Sequence, residues 1–188
     1  MKRIFPTLSA ALLGVALSLP AMAQTGKTGL YLSADDFAAG KVSYGAAHHK
    51  IRPNVPFQHG KVKVVHGDQA MMLEKGQLYG YRDKKQQDFR FVGNDAYKII
   101  DAKGFPIYSR DVEVTKGKGR VKETKFYFSA APGSEVKELT VGNLKQAFPE
   151  NGKFHQLLDM QFRSNDELAR YDEFSKMFKL KTIYNETI

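Results

Sequence analysis

Four of the five histidines in the sequence lie within a span of nineteen residues, and neutral imidazoles are common ligands of zinc and copper. They are His48, His49, His59 and His66. Adjacent histidines on an extended chain point to opposite sides, and the four form no HxH, HExxH or HxxxH pattern. One hypothesis is a metal-dependent hydrolase that uses them with nearby carboxylates. The alternative is that they are surface or loop histidines.

A second set of residues has the aromatic and arginine side chains that dominate binding hot spots. The set is Tyr79, Tyr81, Arg82, Arg90 and Tyr108. Strand alternation predicts that Tyr79 and Tyr81 share one face, with each arginine on the other face of its own strand. Tyrosines on an open sheet can stack on sugars or bases, but they more often form the core or cross-strand pairs. Both interpretations stay open.

Several other kinds of chemistry are excluded or disfavoured. The sequence has no cysteine, which removes thiol catalysis, thiolate zinc sites and disulfides. The basic loop KGKGR at residues 116–120 lacks the phosphate-loop spacing and precedes a strand, so it predicts a hairpin tip. Asp35 and Asp36 form a carboxylate pair, but acids are expected in a first helical turn. We predict no cofactor.

The elements that must position these residues form two groups along the chain. Alternating apolar runs separated by turn residues predict strands at 61–65, 70–74, 78–82, 89–92, 97–100, 105–108, 111–115 and 122–129. In the last third of the chain, apolar residues instead recur with a period near 3.6 residues, which is typical of α-helices. We therefore predict an α+β fold, an antiparallel β-meander sheet of about six to eight strands followed by two to three C-terminal helices packed on it.

The predicted helices have recognisable start signals. Ser33 is placed to cap a short helix near the start, and Thr140 to cap a helix that Pro149 ends. A second C-terminal helix has the apolar stripe Phe154, Leu157, Leu158, Gln161 and Phe162.

A capping box of Ser164 and Glu167 predicts a third C-terminal helix over 166–179. Its inner side would be Leu168, Tyr171, Phe174, Ser175 and Phe178, and residues 180–184 would form a terminal strand. Residues 42–57 are predicted to be mostly irregular, because Pro53 and Pro56 disfavour a central strand.

The N-terminus predicts export. Lys2 and Arg3 precede an apolar stretch at 4–19, and Ala21-Met22-Ala23 matches a signal-peptidase site. We expect a signal peptide at 1–23, a single α+β domain at 24–188 without a transmembrane segment, and a periplasmic or secreted location. The formal net charge of +9 falls by two on cleavage, and mixed charge of this kind suits either solubility or an anionic partner.

Three segments resemble exported, uncharacterised proteins of Bacteroidota. They are GLYLSADDF near the predicted mature N-terminus, NLKQAFPENGKFHQLLD, and LARYDEFSKMFK. The resemblance covers most of the mature chain and implies a periplasmic location. It brings no catalytic residues to this sequence.

The leading functional hypothesis is a non-enzymatic envelope protein that binds or scaffolds a protein, peptide or glycan partner. The metal-dependent hydrolase is one alternative, and a binder of anionic glycan or lipid surfaces is another. Nucleic acid is not an expected partner. An uncovered, aromatic-lined face of the sheet is the expected position of a binding site.

Overall fold

The computed structural model describes residues 28–45 and 47–188, so the predicted signal peptide lies outside the described residues. The α+β prediction is confirmed, with a seven-stranded antiparallel sheet and three α-helices that follow it in the chain. The strands are β1 (Gly29–Tyr31), β2 (Lys50–Arg52), β3 (Lys61–His66), β4 (Gln69–Glu74), β5 (Gly80–Arg82), β6 (Asp88–Val92), β7 (Asp95–Asp101), β8 (Ile107–Lys116), β9 (Gly119–Phe128), β10 (Lys137–Glu138), β11 (Tyr171–Asp172) and β12 (Met177–Phe178). The helices are α1 (Ala34–Ala38), α2 (Val141–Ala147), α3 (Gly152–Gln161) and α4 (Lys179–Asn185).

The large sheet has the order β1-β5-β6-β7-β8-β9-β10, so β5 to β9 form the predicted meander. Cross-strand pairs show which side chains share a face, because directly paired residues point the same way. One face, which we name the packed face, carries Leu30, Tyr81, Phe89, Phe91, Phe126 and Phe128. The opposite face carries Tyr31, Arg82, Asp88, Arg90, Tyr97 and Tyr108.

Two layers cover the packed face, one at each end. A three-stranded sheet, β2-β3-β4, buries Val62 and Val64 against Leu30 and Phe91. The C-terminal helices bury a larger core that includes Phe105, Phe128 and Leu158 among others. Both layers contact strands of the same large sheet, so the two cores share that sheet.

The sequence had predicted one continuous meander from residue 61, and this is wrong for its first two strands. β3 instead pairs with β4 on one side and with β2 on the other, and β2 lies in a stretch predicted to be irregular. A 3₁₀ turn at Lys75–Gln77 separates β4 from β5. The Lys75 side chain is buried there and donates to the carbonyl of Asn94 at 2.8 Å, which ties the turn to the large sheet.

The helix starts predicted at Ser33 and Thr140 are confirmed. Ser33 Oγ accepts a hydrogen bond from the Asp36 amide at 3.1 Å, and Thr140 Oγ1 accepts one from the Asn143 amide at 3.1 Å. These two hydrogen bonds satisfy amides that a helix leaves free at its first turn. The predicted apolar stripe of α3 is also buried at Phe154, Leu158 and Phe162.

The predicted third helix over 166–179 is wrong. The chain forms a 3₁₀ turn at Asn165–Ala169, a two-stranded hairpin of β11 and β12, and then α4 where a strand was predicted. Asp172 explains the difference, because its carboxylate accepts from the Phe174 amide at 2.9 Å and from Ser175 Oγ at 2.8 Å. Such local bonds compete with helical hydrogen bonding, and they leave Phe174 exposed rather than on an inner side.

Lys181 fastens α4 to the turn before β8. Its ammonium is buried, donates to the carbonyls of Lys103 and Phe105, and lies 4.0 Å from the centre of the Phe105 ring. Burial lowers the pKa of Lys181 to about 8, although the nearby carboxylate of Asp101 acts in the opposite direction. The helix is therefore held by a buried cation as well as by apolar contacts.

Among the described residues, no helix has the length and apolar character needed to cross a bilayer.

Candidate binding groove

The five aromatic and arginine residues predicted as a binding set are divided between the two faces of the large sheet. Tyr79, Arg90 and Tyr108 are buried on the opposite face, whereas Tyr81 stacks on Phe89 of the packed face with ring centres 4.8 Å apart. The predicted shared face for Tyr79 and Tyr81 is therefore wrong. Strand alternation fails because Tyr79 precedes β5 and Gly80 lies against the β6 backbone, where a Cβ atom would be 1.9 Å from the Phe89 carbonyl oxygen.

The residues on the opposite face form a polar cluster around the Arg90 guanidinium. Arg90 donates to the Tyr108 hydroxyl at 2.9 Å, to Ser129 Oγ at 3.3 Å and to the Ser134 carbonyl at 2.7 Å. Its charge also lies over the Tyr79 ring, 5.3 Å from the ring centre. The cluster connects the loop after β9 to the sheet, and the buried arginine bonds only neutral groups among the described residues.

One member of this cluster is incompletely paired. The Tyr79 hydroxyl is buried and has no hydrogen-bond partner among the described residues. Burial raises the pKa of the Tyr79 phenol well above its ordinary value, so the group stays neutral. A ligand would find little exposed surface on Tyr79, Arg90 and Tyr108, because all three side chains are buried.

Tyr81 and Arg82 instead line a groove at the edge of the molecule, which we name the basic groove. It lies between the β5–β6 hairpin and the β2 region of the small sheet, with a volume of about 610 Å³. Its lining consists of Thr28, His49, Lys50, Ile51, Pro53, Tyr81, Arg82, Asp83, Lys84 and Lys85. The volume is within the usual range of small-molecule sites.

The floor of the basic groove is apolar and rigid. Tyr81 is held by its parallel stack on Phe89 and by contact with Phe91, and Ile51 packs against the same small core. Burial, helped by the Asp83 carboxylate, raises the pKa of Tyr81 to about 12, so its hydroxyl stays neutral at ordinary pH. Tyr81 therefore offers an aromatic surface with a neutral polar end.

One wall of the groove is the hairpin loop between β5 and β6, and Asp83 holds its shape. The Asp83 carboxylate accepts hydrogen bonds from the amides of Lys85 and Gln87, each at 2.8 Å. The Asp83 carbonyl also accepts from Thr28 Oγ1 at 3.2 Å. This local turn presents Lys84 and Lys85 together on a defined loop.

Positive charge is concentrated at the rim. Lys50, Lys84 and Lys85 are exposed, and none of them forms an ion pair within the part of the chain that the structure describes. Arg82 differs, because its guanidinium binds both oxygens of Asp88 at 2.7 and 2.9 Å. The three lysines therefore supply the free positive charge of the groove.

The histidines do not assemble into one site. His49 lines the basic groove and lies against His66, with ring centres 4.8 Å apart, while His48 is exposed. His59 lies at a different cleft, between the small sheet and β7 and β8. Across residues 28–45 and 47–188, no group of three or more His, Asp or Glu side chains is arranged to hold a metal ion.

One ring nitrogen of His49, beside the groove, is unpaired. The Nδ1 atom is buried and has no hydrogen-bond partner within the described part of the chain. Tyr44 packs edge-on against its ring at 5.5 Å between ring centres. Because this nitrogen is covered, it offers no surface to a ligand in the groove.

Sequence reasoning missed the lysines of the groove. The KK pair in the loop DKKQQ was visible as part of a turn, but nothing local connects it with Lys50. Only the packing of the small sheet beside the hairpin brings the two segments together.

Comparison of the chain with protein-family models, with curated proteins and with solved structures gives no match. Function must therefore be inferred from the chemistry of the groove.

Proposed function

We propose that the protein is a non-enzymatic binding module whose basic groove takes a small organic anion with an apolar body. The observation that carries the proposal is the convergence of Lys50, Lys84 and Lys85 on an apolar floor formed by Tyr81 and Ile51. Apolar lining gives a ligand most of its binding energy, and a few placed charges give it orientation.

The groove supports a division of roles among its residues. The ring of Tyr81, fixed by its stack on Phe89, would lie against the apolar part of the ligand. The three ammonium groups would hold its carboxylate, sulfonate or phosphate.

The proposal includes an exported location. It is supported by the basic start of the chain, the apolar stretch at 4–19 and the Ala21-Met22-Ala23 sequence. The resemblance to exported Bacteroidota proteins also supports an exported location. A binding module outside the cytoplasm would meet its ligand in the envelope or the medium.

The experiment uses anilinonaphthalene sulfonate, a fluorescent probe with an aromatic body and one negative charge. Titration of the protein with the probe measures Kd from the rise in fluorescence. The variant Lys84→Ser/Lys85→Ser should weaken binding by about tenfold, which corresponds to about 1.4 kcal/mol. The loop shape should survive, because the bonds from Asp83 reach backbone amides rather than these side chains.

A matched control changes the same charge elsewhere. Lys116→Ser/Lys118→Ser, in the exposed β8–β9 hairpin, should leave Kd unchanged. If both double variants weaken binding equally, the probe responds to net charge and the groove is not its site. An uncharged anilinonaphthalene should bind the wild type more weakly than the sulfonate does.

A further inference from the structure

The hairpin of β8 and β9 extends well beyond the large sheet. β8 and β9 pair over ten positions, but β7 pairs with β8 only at Ile107–Ser109 and β10 pairs with β9 only at Tyr127–Phe128. Residues 111–124 therefore pair only with each other, and we name them the β-ribbon. At about 3.4 Å per residue, the ribbon reaches roughly 15 Å beyond its neighbouring strands.

The β-ribbon carries a cluster of positive charge near its end. Its basic residues are Lys116, Lys118, Arg120 and Lys122, all exposed. Two of them make only long ion pairs within the ribbon, Lys116 with Glu123 at 3.6 Å and Arg120 with Glu113 at 3.7 Å. Glu113 and Glu123 flank the tip, and residues 114–122 between them contain four basic and no acidic side chains, so the tip is positive.

One face of the β-ribbon carries three valines, and we name it the valine face. Val114 and Val121 are a direct cross-strand pair, and Val112 points to the same side two residues earlier. Val121 is 42% exposed, while Val112 and Val114 are half-buried. Lys116 and Glu123 lie on the same face, and the other face carries the pairs of Thr115 with Arg120 and Glu113 with Lys122. The ribbon therefore combines one exposed valine and two half-buried ones with lysine and arginine side chains at one projecting end.

We propose that the tip of the β-ribbon is a docking surface for an anionic lipid bilayer. Basic side chains at a membrane surface are attracted by anionic headgroups, and long lysine and arginine side chains can extend to those headgroups while neighbouring apolar groups enter the interface. A soluble polyanion would account for the charge but not for the valine face. The combination of both favours lipid.

The test measures binding of the full chain to vesicles by co-sedimentation. Vesicles of phosphatidylcholine with phosphatidylglycerol should bind the protein, and added salt should release it. Vesicles of pure phosphatidylcholine record any contribution from the apolar residues 4–19. The variant Lys118→Ser/Lys122→Ser should weaken binding to the anionic vesicles by about 25-fold, at about fivefold for each lost charge.

Two further variants test the position of the charge and the role of Val121. Lys41→Ser/Lys176→Ser removes the same charge from equally exposed side chains outside the ribbon, and it should bind as the wild type does. Val121→Ser should weaken binding to anionic vesicles while leaving retention on heparin unchanged. Circular dichroism of each variant checks that the fold is intact.

Three outcomes would overturn the proposal. The first is equal loss of binding in the ribbon variant and in its charge-matched control. The second is retention on heparin without retention on anionic vesicles, which would assign the ribbon to a soluble polyanion. The third is binding that Val121→Ser leaves unchanged on both supports.

Discussion

At the scale of single residues, hydroxyl groups on the opposite face of the sheet differ sharply in their surroundings. Tyr108 is fully paired, with Arg90 at 2.9 Å and Ser129 Oγ at 2.8 Å. Tyr79 lies over the same arginine, yet its hydroxyl is buried without a partner in the described chain. The two tyrosines thus form a natural comparison of a satisfied and an unsatisfied polar group.

We expect Tyr79→Phe to preserve or raise the free energy of unfolding, by up to about 1 kcal/mol, because it removes an unpaired buried hydroxyl. Tyr108→Phe should lower it by about 1–2 kcal/mol, because Arg90 and Ser129 lose a partner. Urea denaturation of both variants measures the difference. Equal destabilisation by the two substitutions would contradict the different pairing.

Lys181 makes stability depend on pH. Its pKa is lowered by burial to about 8 in the folded protein, against about 10.5 in the unfolded chain. Between these values the unfolded chain binds more protons, so the free energy of unfolding should rise with pH from about 8 to about 10. Below about pH 8 both states are protonated and this contribution is constant.

The variant Lys181→Met should reduce this rise, since its side chain cannot titrate. Part of the slope should remain, because burial also lowers the pKa of Lys75. Chemical denaturation at several pH values compares the slopes of the wild type and the variant. The range stops near pH 10 because tyrosines of the unfolded chain begin to ionise there. A slope that is unchanged in Lys181→Met would assign the whole effect to other groups.

At the scale of elements, the entry into β5 decides which side chains reach the groove. Tyr79 faces the Arg90 cluster and Tyr81 faces the groove, with Gly80 between them. Gly80 allows this switch because its backbone approaches β6 too closely for any side chain. A regular strand would have placed both tyrosines on one face.

The expected cost of Gly80→Ala is therefore large, roughly 3 kcal/mol of unfolding free energy, because the new Cβ would meet backbone rather than a flexible side chain. Gly142→Ala is the control, since it lies in α2 with no atom within 4 Å of its new Cβ. That substitution should raise stability by about 0.5–1 kcal/mol through helix propensity. Thermal unfolding of both variants measures whether Gly80→Ala lowers the stability and Gly142→Ala raises it.

At the scale of the whole molecule, two layers share one face of the large sheet. The small sheet covers β1, β5 and β6, and the helices cover the region of Ile107 and Phe128. The basic groove lies at the outer margin of the small sheet. A second cleft of about 880 Å³ lies between the small sheet and strands β7 and β8, and it is lined mainly by polar and charged side chains, including Lys98, Asp111 and Thr124.

Local patterns in the sequence determined much of this architecture. Alternating apolar residues between turn signals predicted the meander strands, and Ser33 and Thr140 predicted two helix starts, because these patterns act through neighbouring residues. The absence of cysteine excluded disulfides. The basic loop at 116–120 was predicted to be a hairpin tip, and it connects β8 to β9.

The tertiary structure alone decided the faces, the separate small sheet and the last helix. The C-terminal hairpin followed from two competing local signals: the capping box at Ser164 predicted a helix, but the carboxylate of Asp172 stabilises a turn instead. Residues 180–184 look like a strand, yet burial of Leu180 and Ile183 against α3 and the sheet makes them a helix. The basic groove depends on Lys50 meeting a loop more than thirty residues later, and no local pattern records such a contact because it arises from packing between layers.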